Sequence, residues 1–391
     1  MARQVNVALI GSKFMGRTHS DAYSNVARYF TDLPAEPVRH TIAARHAEEL
    51  EPFAARWNWA NWTTDWEQAV RDPDVELVDV GTPNDVHREQ AIAALEAGKH
   101  VACEKPLAGT LEDAKQMKEA AAKVAPGAGG NQHTFVWYNY RRCPAVALAH
   151  RFVKEGRLGR IFHVRAAYLQ SWATDPNIPR VWRFQGDVAG SGAHGDLNAH
   201  VIDMARFITG EAITEVTGAI EETFIKQRPM PDGSGKGDVG VDDAVLFLAR
   251  LAGGGAASFE ATRFSTGDKN RNRIEVHGEK GALRFDFERM NELKWYDATL
   301  DRPGQGWATI NVTRADSGDP YAEAYWPAGG HIIGYVDTFM NMTADIMKVL
   351  GGEQPTAPLP DFADAYETQK VLHAALVAAR ERGPVKLSDV G

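Results

Sequence analysis

Three groups of residues could do chemistry on type and spacing alone. Gly11-Ser-Lys-Phe-Met-Gly16 follows the apolar run 5–10 and opens a helix-like stretch from Arg17. A strand running into such a turn and then a helix outlines a dinucleotide-binding fingerprint. Its first glycine makes the tight turn, its last lets helix and strand pack closely, and free N–H groups at the helix start attract a pyrophosphate. The middle position, normally glycine, is Lys13, a cation that could meet a phosphate; Phe14 and Met15 complete the turn. Glu104-Lys105-Pro106 follows the run 100–103, which puts Lys105 at the strand edge where open α/β sheets bind ligands. Asp196 and His200 stand at i and i+4, hence on one helix face. Each has a plainer reading when taken singly: Lys105 as a surface cation, Asp196 as an N-terminal cap, His200 as a satisfied buried histidine. Together, downstream of a nucleotide turn, they are hard to explain as coincidence.

The elements that must position these groups fall into two patterns. Apolar runs at 5–10, 38–44, 76–81 and 100–103 alternate with helical stretches such as 86–97. Parallel strands need long crossovers, so this half reads as a doubly wound α/β domain over residues 1–130. A breaker cluster, Pro-Gly-Ala-Gly-Gly-Asn, ends it at 126–131. Beyond lie candidate strands at 162–170, 215–224, 243–250, 256–262, 273–277 and 282–287, with short Gly-containing turns between several of them. These predict a second α/β domain, 131–391, built on an open, mainly antiparallel sheet. A helix over 196–208 ends before Gly210, and two more are expected at 333–350 and 361–380. The run 227–240, with four glycines and two prolines, reads as a mobile surface loop.

The end of the second strand bears on the cofactor. An acid there would take the ribose 2′-hydroxyl of NAD, and an arginine suits the 2′-phosphate of NADP. The sequence has Ala43-Ala-Arg45-His46 and no acid, so Arg45 tilts toward NADP, with a solvated arginine as the bland alternative. Composition narrows the rest. The 391 residues carry 43 Lys and Arg against 52 Asp and Glu, a formal charge of −9, which argues against a nucleic-acid binder. No stretch approaches the length of apolar sequence needed to cross a membrane, and no leader pattern opens the chain. Two cysteines forty residues apart, Cys103 and Cys143, make neither a CxxC pair nor a disulfide framework, which fits a reduced, cytoplasmic compartment. His194 and His331 lack ligand spacing, so no metal is expected.

Several runs together resemble the Gfo/Idh/MocA oxidoreductases, over essentially the whole chain. They are residues 8–19, Thr82-Pro83-Asn84, 97–101, Glu104-Lys105-Pro106, 138–142 and 195–203. Within that family, 138–142, 168–172 and 182–185 are most similar to the sugar dehydrogenases that act on anhydro-sugars. The resemblance implies a dehydrogenase that oxidises a secondary alcohol on a sugar-like ring with NAD or NADP. It implies His200 as general base, Lys105 stabilising the alkoxide and Asp196 orienting the pair. Thr82, Pro83, Asn84, His87, Glu104 and Lys105 would line the cofactor with the first turn. Arg142, Gln170, Trp172 and Arg183 are expected at the sugar, because polar forks and flat aromatic faces suit a polyhydroxylated ring; each could equally be structural. A homodimer or homotetramer is expected. Three alternatives stay open: an NAD-dependent glycosidase working through transient oxidation, an inositol dehydrogenase, and a non-catalytic dinucleotide-binding regulator.

Overall fold

The alternating runs of the first half form a six-stranded parallel sheet in the computed structural model, which describes residues 2–313, 321–325 and 329–391. Its strands are β1 (Arg3–Ile10), β2 (Ala35–Ala43), β3 (Asn61–Thr63), β4 (Leu77–Val80), β5 (His100–Cys103) and β6 (Thr134–Val136), in the order β3-β2-β1-β4-β5-β6. The four residues of β4 and the last four of β1 are all buried, as a sheet covered on both faces requires. Five helices make the connections: α1 (Phe14–Tyr29), α2 (Ala47–Trp57), α3 (Trp66–Arg71), α4 (His87–Glu96) and α5 (Leu111–Val124). Local capping sets two of their starts, since Asp65 and Thr110 accept backbone N–H groups from the first turns of α3 and α5. Strand order reverses between β1 and β4. In doubly wound sheets that switch point is where ligands bind.

A single cut near residue 130 does not describe the compact units. The first unit comprises Met1–Arg142 together with Ile333–Tyr366, and the second Cys143–Ile332 with Glu367–Gly391. The return of the chain to the first unit has a physical cause. Arg142 is wholly buried and pairs with the equally buried Asp345 at 2.9 Å, on the helix Tyr335–Leu350. Its other nitrogens donate to the carbonyls of Ala357 and Pro358, and Asn341 donates to the Arg142 carbonyl. A buried charge pair tolerates no loss of one partner, which would cost about 3–5 kcal/mol.

The second unit is built on a nine-stranded sheet, β7 (Ile161–Leu169), β8 (Ile213–Glu222), β11 (Ala244–Leu251), β12 (Ala256–Thr262), β13 (Arg271–Gly278), β14 (Gly281–Asp286), β15 (Glu292–Asp297), β16 (Trp307–Asn311) and β17 (Val385–Lys386), and on a small hairpin, β9 (Gln227–Pro229) with β10 (Lys236–Asp238). The large sheet runs β16-β15-β14-β13-β7-β12-β11-β8-β17 and is antiparallel except for the β7–β12 pair. The helix Ala199–Thr209 packs on β7 and β13 and stops at Gly210, whose φ of 69° only glycine adopts freely. The expected loop at 227–240 is the β9–β10 hairpin instead. Positive-φ Gly233 and Gly235 close its turn, and buried Arg228 anchors it by donating to the carbonyls of Ala173 and Asp175. Among the described residues no helix is long and apolar enough to cross a membrane.

Candidate active site

In the first unit the turn after β1 is fixed by backbone contact. A Cβ on Gly11 would lie 2.5 Å from the Gly81 carbonyl oxygen, and one on Gly16 only 2.1 Å from the Gly11 oxygen. Only glycine lets β1, α1 and the end of β4 approach this closely, so the cradle has the form a pyrophosphate requires. Lys13 precedes α1 without capping it; its side chain is three-quarters exposed and pairs with Glu49 on α2. That pairing draws the ammonium toward α2 and pulls the Glu49 carboxyl below its usual range. Phe14 is exposed and stacks on Tyr335, ring centroids 6.3 Å apart, while Met15 is half-buried. Arg45 is exposed just beyond β2.

The other residues expected at the cofactor divide into two kinds. Thr82, Pro83 and Asn84 sit half-buried after β4, with the Thr82 hydroxyl donating to Gln90. His87 and Glu104 turn their side chains inward. The His87 ring is fully buried, with Nε2 2.9 Å from the Thr82 carbonyl and Nδ1 3.2 and 3.3 Å from those of Pro106 and Leu107; burial lowers its pKa. Glu104 accepts from the Lys105 backbone N–H at 3.1 Å and meets His19 at 3.0 Å. These two side chains therefore brace the turns that would hold a cofactor. Lys105 lies half-buried at the end of β5, followed by a cis peptide to Pro106.

In the second unit the expected helix over 196–208 has two parts. His194–Asn198 is a π-helical turn and Ala199–Thr209 an α-helix. Asp242 anchors the start of this turn, because its two oxygens accept the N–H groups of Gly192 and His194. His194 is locked below: its Nε2 donates to the Leu372 carbonyl and its Nδ1 accepts from Asn198. Wide helical turns of this kind recur at functional sites. Here the turn carries Asp196, partly exposed, whose Oδ2 accepts from Arg263 at 2.9 Å. His200, one turn on, is buried with its ring 5.8 Å from that of Tyr168.

Side chains from distant strands form the rest of this site. Arg263 is almost fully buried; besides Asp196 it donates to the Arg183 carbonyl and stands over the Trp172 ring at 5.1 Å. Trp172 donates to Gln170, and Gln170 and Tyr168 both donate to Asn270, each at 2.7 Å. Trp172, Gln170, Asp196 and His200 thus belong to one connected set, while Arg183 lays its guanidinium on Trp182. Arg142 does not belong to it, being a buried structural charge of the first unit. Arg263 and Asn270 were invisible to sequence reasoning, since an arginine or asparagine just outside a strand carries no periodic signal; Tyr168 lay within the run 168–172 but was not assigned to the site.

Comparison with known proteins fits this geometry. Residues 5–125 match the family model described as the oxidoreductase family, NAD-binding Rossmann fold, and residues 146–284 match the GFO/IDH/MocA C-terminal domain. The chain is 40% identical to levoglucosan dehydrogenase of Pseudarthrobacter phenanthrenivorans across 99% of both chains. A solved levoglucosan dehydrogenase in complex with NADH and levoglucosan superimposes with a TM-score of 0.92 at 41% identity, covering 98% of this chain and 100% of that one. An oxidoreductase domain protein from Kribbella flavida gives 0.93 at 45% identity, over 99% of this chain and 100% of that one. With the glycine cradle, both domains and full-length relatives in agreement, the chain belongs to the Gfo/Idh/MocA family of oxidoreductases.

Proposed function

We propose that this oxidoreductase oxidises a secondary hydroxyl of a sugar or sugar derivative, an anhydro-sugar in the first place, with NAD or NADP as acceptor. The observation that carries the reading is the end-to-end likeness to levoglucosan dehydrogenase. A bound dinucleotide supplies the hydride acceptor, and the Gly11–Gly16 cradle with the free N–H groups of α1 fits its pyrophosphate. The protein's own residues handle the proton and the charge. His200 accepts the hydroxyl proton on an imidazole nitrogen. The Lys105 ammonium donates to the reacting oxygen and stabilises its negative charge. Asp196, fixed by Arg263, accepts from substrate hydroxyls and orients the base. Gln170, Trp172 and Arg183 supply amide, flat ring and fork to the sugar. A second copy of the chain covers the open face of the large sheet, where Ile220, Leu246 and Leu248 are exposed around a shallow cavity of about 530 Å³; sedimentation at micromolar concentration then reads a dimer or larger, and a monomer overturns this part.

Absorbance at the reduced-nicotinamide band, followed with NAD and NADP over anhydro-sugars, glycosides, aldoses and inositols, tests the reaction. Growth of the band with anhydro-sugars is the expected result. A flat trace with every substrate, from protein that binds dinucleotide, overturns net oxidation. Lys105→Ala and His200→Ala each lower kcat by ~100-fold or more while NADH still binds. Near-normal turnover in both removes the assigned roles.

A further inference from the structure

Beneath the turn that carries Lys105, the first unit holds a cluster of charged groups that the reaction described above leaves unused. His19, on α1, is wholly buried. Its Nδ1 lies 2.8 Å from Asp79 Oδ2, on β4, and its Nε2 lies 3.0 Å from Glu104 Oε1, just after β5. Asp79 is also wholly buried, and its oxygens accept from the Tyr23 hydroxyl and the Trp137 indole, both at 2.8 Å. The second oxygen of Glu104 accepts the Lys105 backbone N–H. Trp137 and Phe339 cover the His19 ring, centroids 4.3 and 5.5 Å away.

A neutral imidazole has one N–H and one lone pair, so it would set a lone pair against one of these two carboxylates. An imidazolium donates to both and leaves every oxygen of the cluster satisfied. We infer that His19, held as an imidazolium between Asp79 and Glu104, is a positioning residue for the dehydrogenation. It fixes the carboxylate on which the Lys105 backbone rests, and so aims the Lys105 side chain. This rests on the role given to Lys105 under the proposed function. The surroundings agree. Burial alone lowers the His19 pKa, but Asp79 and Glu104 outweigh it and raise the value to about 9. The other titratable groups that sense the pair, the Tyr23 phenol and the Cys103 thiol, are pushed up by burial and by these carboxylates, and buried His87 senses Glu104.

Two measurements on the intact chain test the inference. In nitrogen NMR of histidine-labelled protein at pH 7.5, the signal absent from His19→Gln should be that of a doubly protonated ring; a neutral ring overturns the inference without any variant needing activity. In a double-mutant cycle, His19→Gln should lower kcat about tenfold with the NADH Kd within threefold, and should cost nothing further in a Lys105→Ala background. Losses that add in the double variant show that His19 does not act through Lys105, and overturn it. Normal kcat for His19→Gln beside a crippled Lys105→Ala overturns this inference alone. Normal kcat for Lys105→Ala overturns the catalytic reading beneath it. If His19→Gln does not accumulate, Glu104→Gln, which still accepts the Lys105 N–H but carries no charge, takes its place in the same cycle and marks the missing signal by its shift.

Discussion

The two units hold their chemistry in place by different means. Around the β1 turn of the first unit the contacts are backbone against backbone. Gly11 meets Gly81, Gly16 meets Gly11, and the segments involved are the end of β1, the start of α1 and the end of β4, the sheet neighbour of β1. Around Asp196 in the second unit the contacts are side chain against side chain, across long separations. Arg263 and Asp196 are 67 residues apart, and Gln170 and Asn270 are 100 apart. A backbone cradle needs the absence of a side chain and is intolerant of any addition. A side-chain lattice needs particular partners and can be graded by changing one of them. The two sites should therefore fail differently.

The largest effect is expected from Gly16→Ala. Its new Cβ would stand 2.1 Å from a carbonyl oxygen that belongs to the adjoining turn and has no flexible end to move. α1 must shift away from β1, at the ~1–3 kcal/mol typical of overpacking, and the N–H groups aimed at the pyrophosphate move with it. The NADH Kd, read by fluorescence titration, should rise ~100-fold, roughly 3 kcal/mol of binding. The melting temperature should fall as well. A Kd within threefold of wild type would break the comparison, because the cradle would then be adjustable.

Arg263→Lys probes the other kind of site and should do less. Lysine keeps the charge but gives up the planar fork that serves Asp196 and the Arg183 carbonyl at once. kcat/KM should drop about tenfold, the scale of one charge-assisted hydrogen bond, while the NADH Kd stays within twofold. Loss of NADH binding in this variant would show that the two sites are not separately built. A kcat/KM unchanged in Arg263→Lys but lost in Arg263→Ala would sharpen the picture, since charge without geometry would then suffice.

This contrast also explains what could be read in the sequence. The three-residue strands β3 and β6 were too short to signal. Four strands of the parallel sheet, their alternation with helices and the glycine turn were legible because each is written locally, in apolar runs of strand length and in residues that lack a Cβ. So were six strands of the large sheet, and the stop at Gly210. Lys105, Asp196 and His200 stood out through motif spacing. A structural role for Arg142, paired with an internal carboxylate, was one of the two readings its sequence left open, but the partner was not legible, because Asp345 lies about two hundred residues away on a helix that returns to the first unit. Nor were the inward turns of His87 and Glu104, whose partners are backbone carbonyls and His19. The hairpin at 227–240 was hidden by its glycines, which signal a turn without saying what strands flank it. Arg263 announced nothing, since its meaning lies in Asp196.

The smallest effect belongs to the edge of the cradle, where neither kind of constraint is strong. Arg45 is exposed just beyond β2, and Glu49, the nearby acid of known partner, is occupied with Lys13. The sequence carries no acid at the end of β2 itself, and the exposed cation there would favour a phosphate on the ribose. An exposed charge acts through water and salt, so its influence is modest and screened. Arg45→Asp should move the ratio of kcat/KM for NAD over NADP toward NAD by several-fold at low ionic strength, and by less at high salt. Turnover at saturating NAD should hold. If the ratio stays put at every salt concentration, Arg45 is a plain surface charge, and discrimination at the ribose must then come from the backbone of the turn itself, which would extend the logic of the glycine cradle out to its rim.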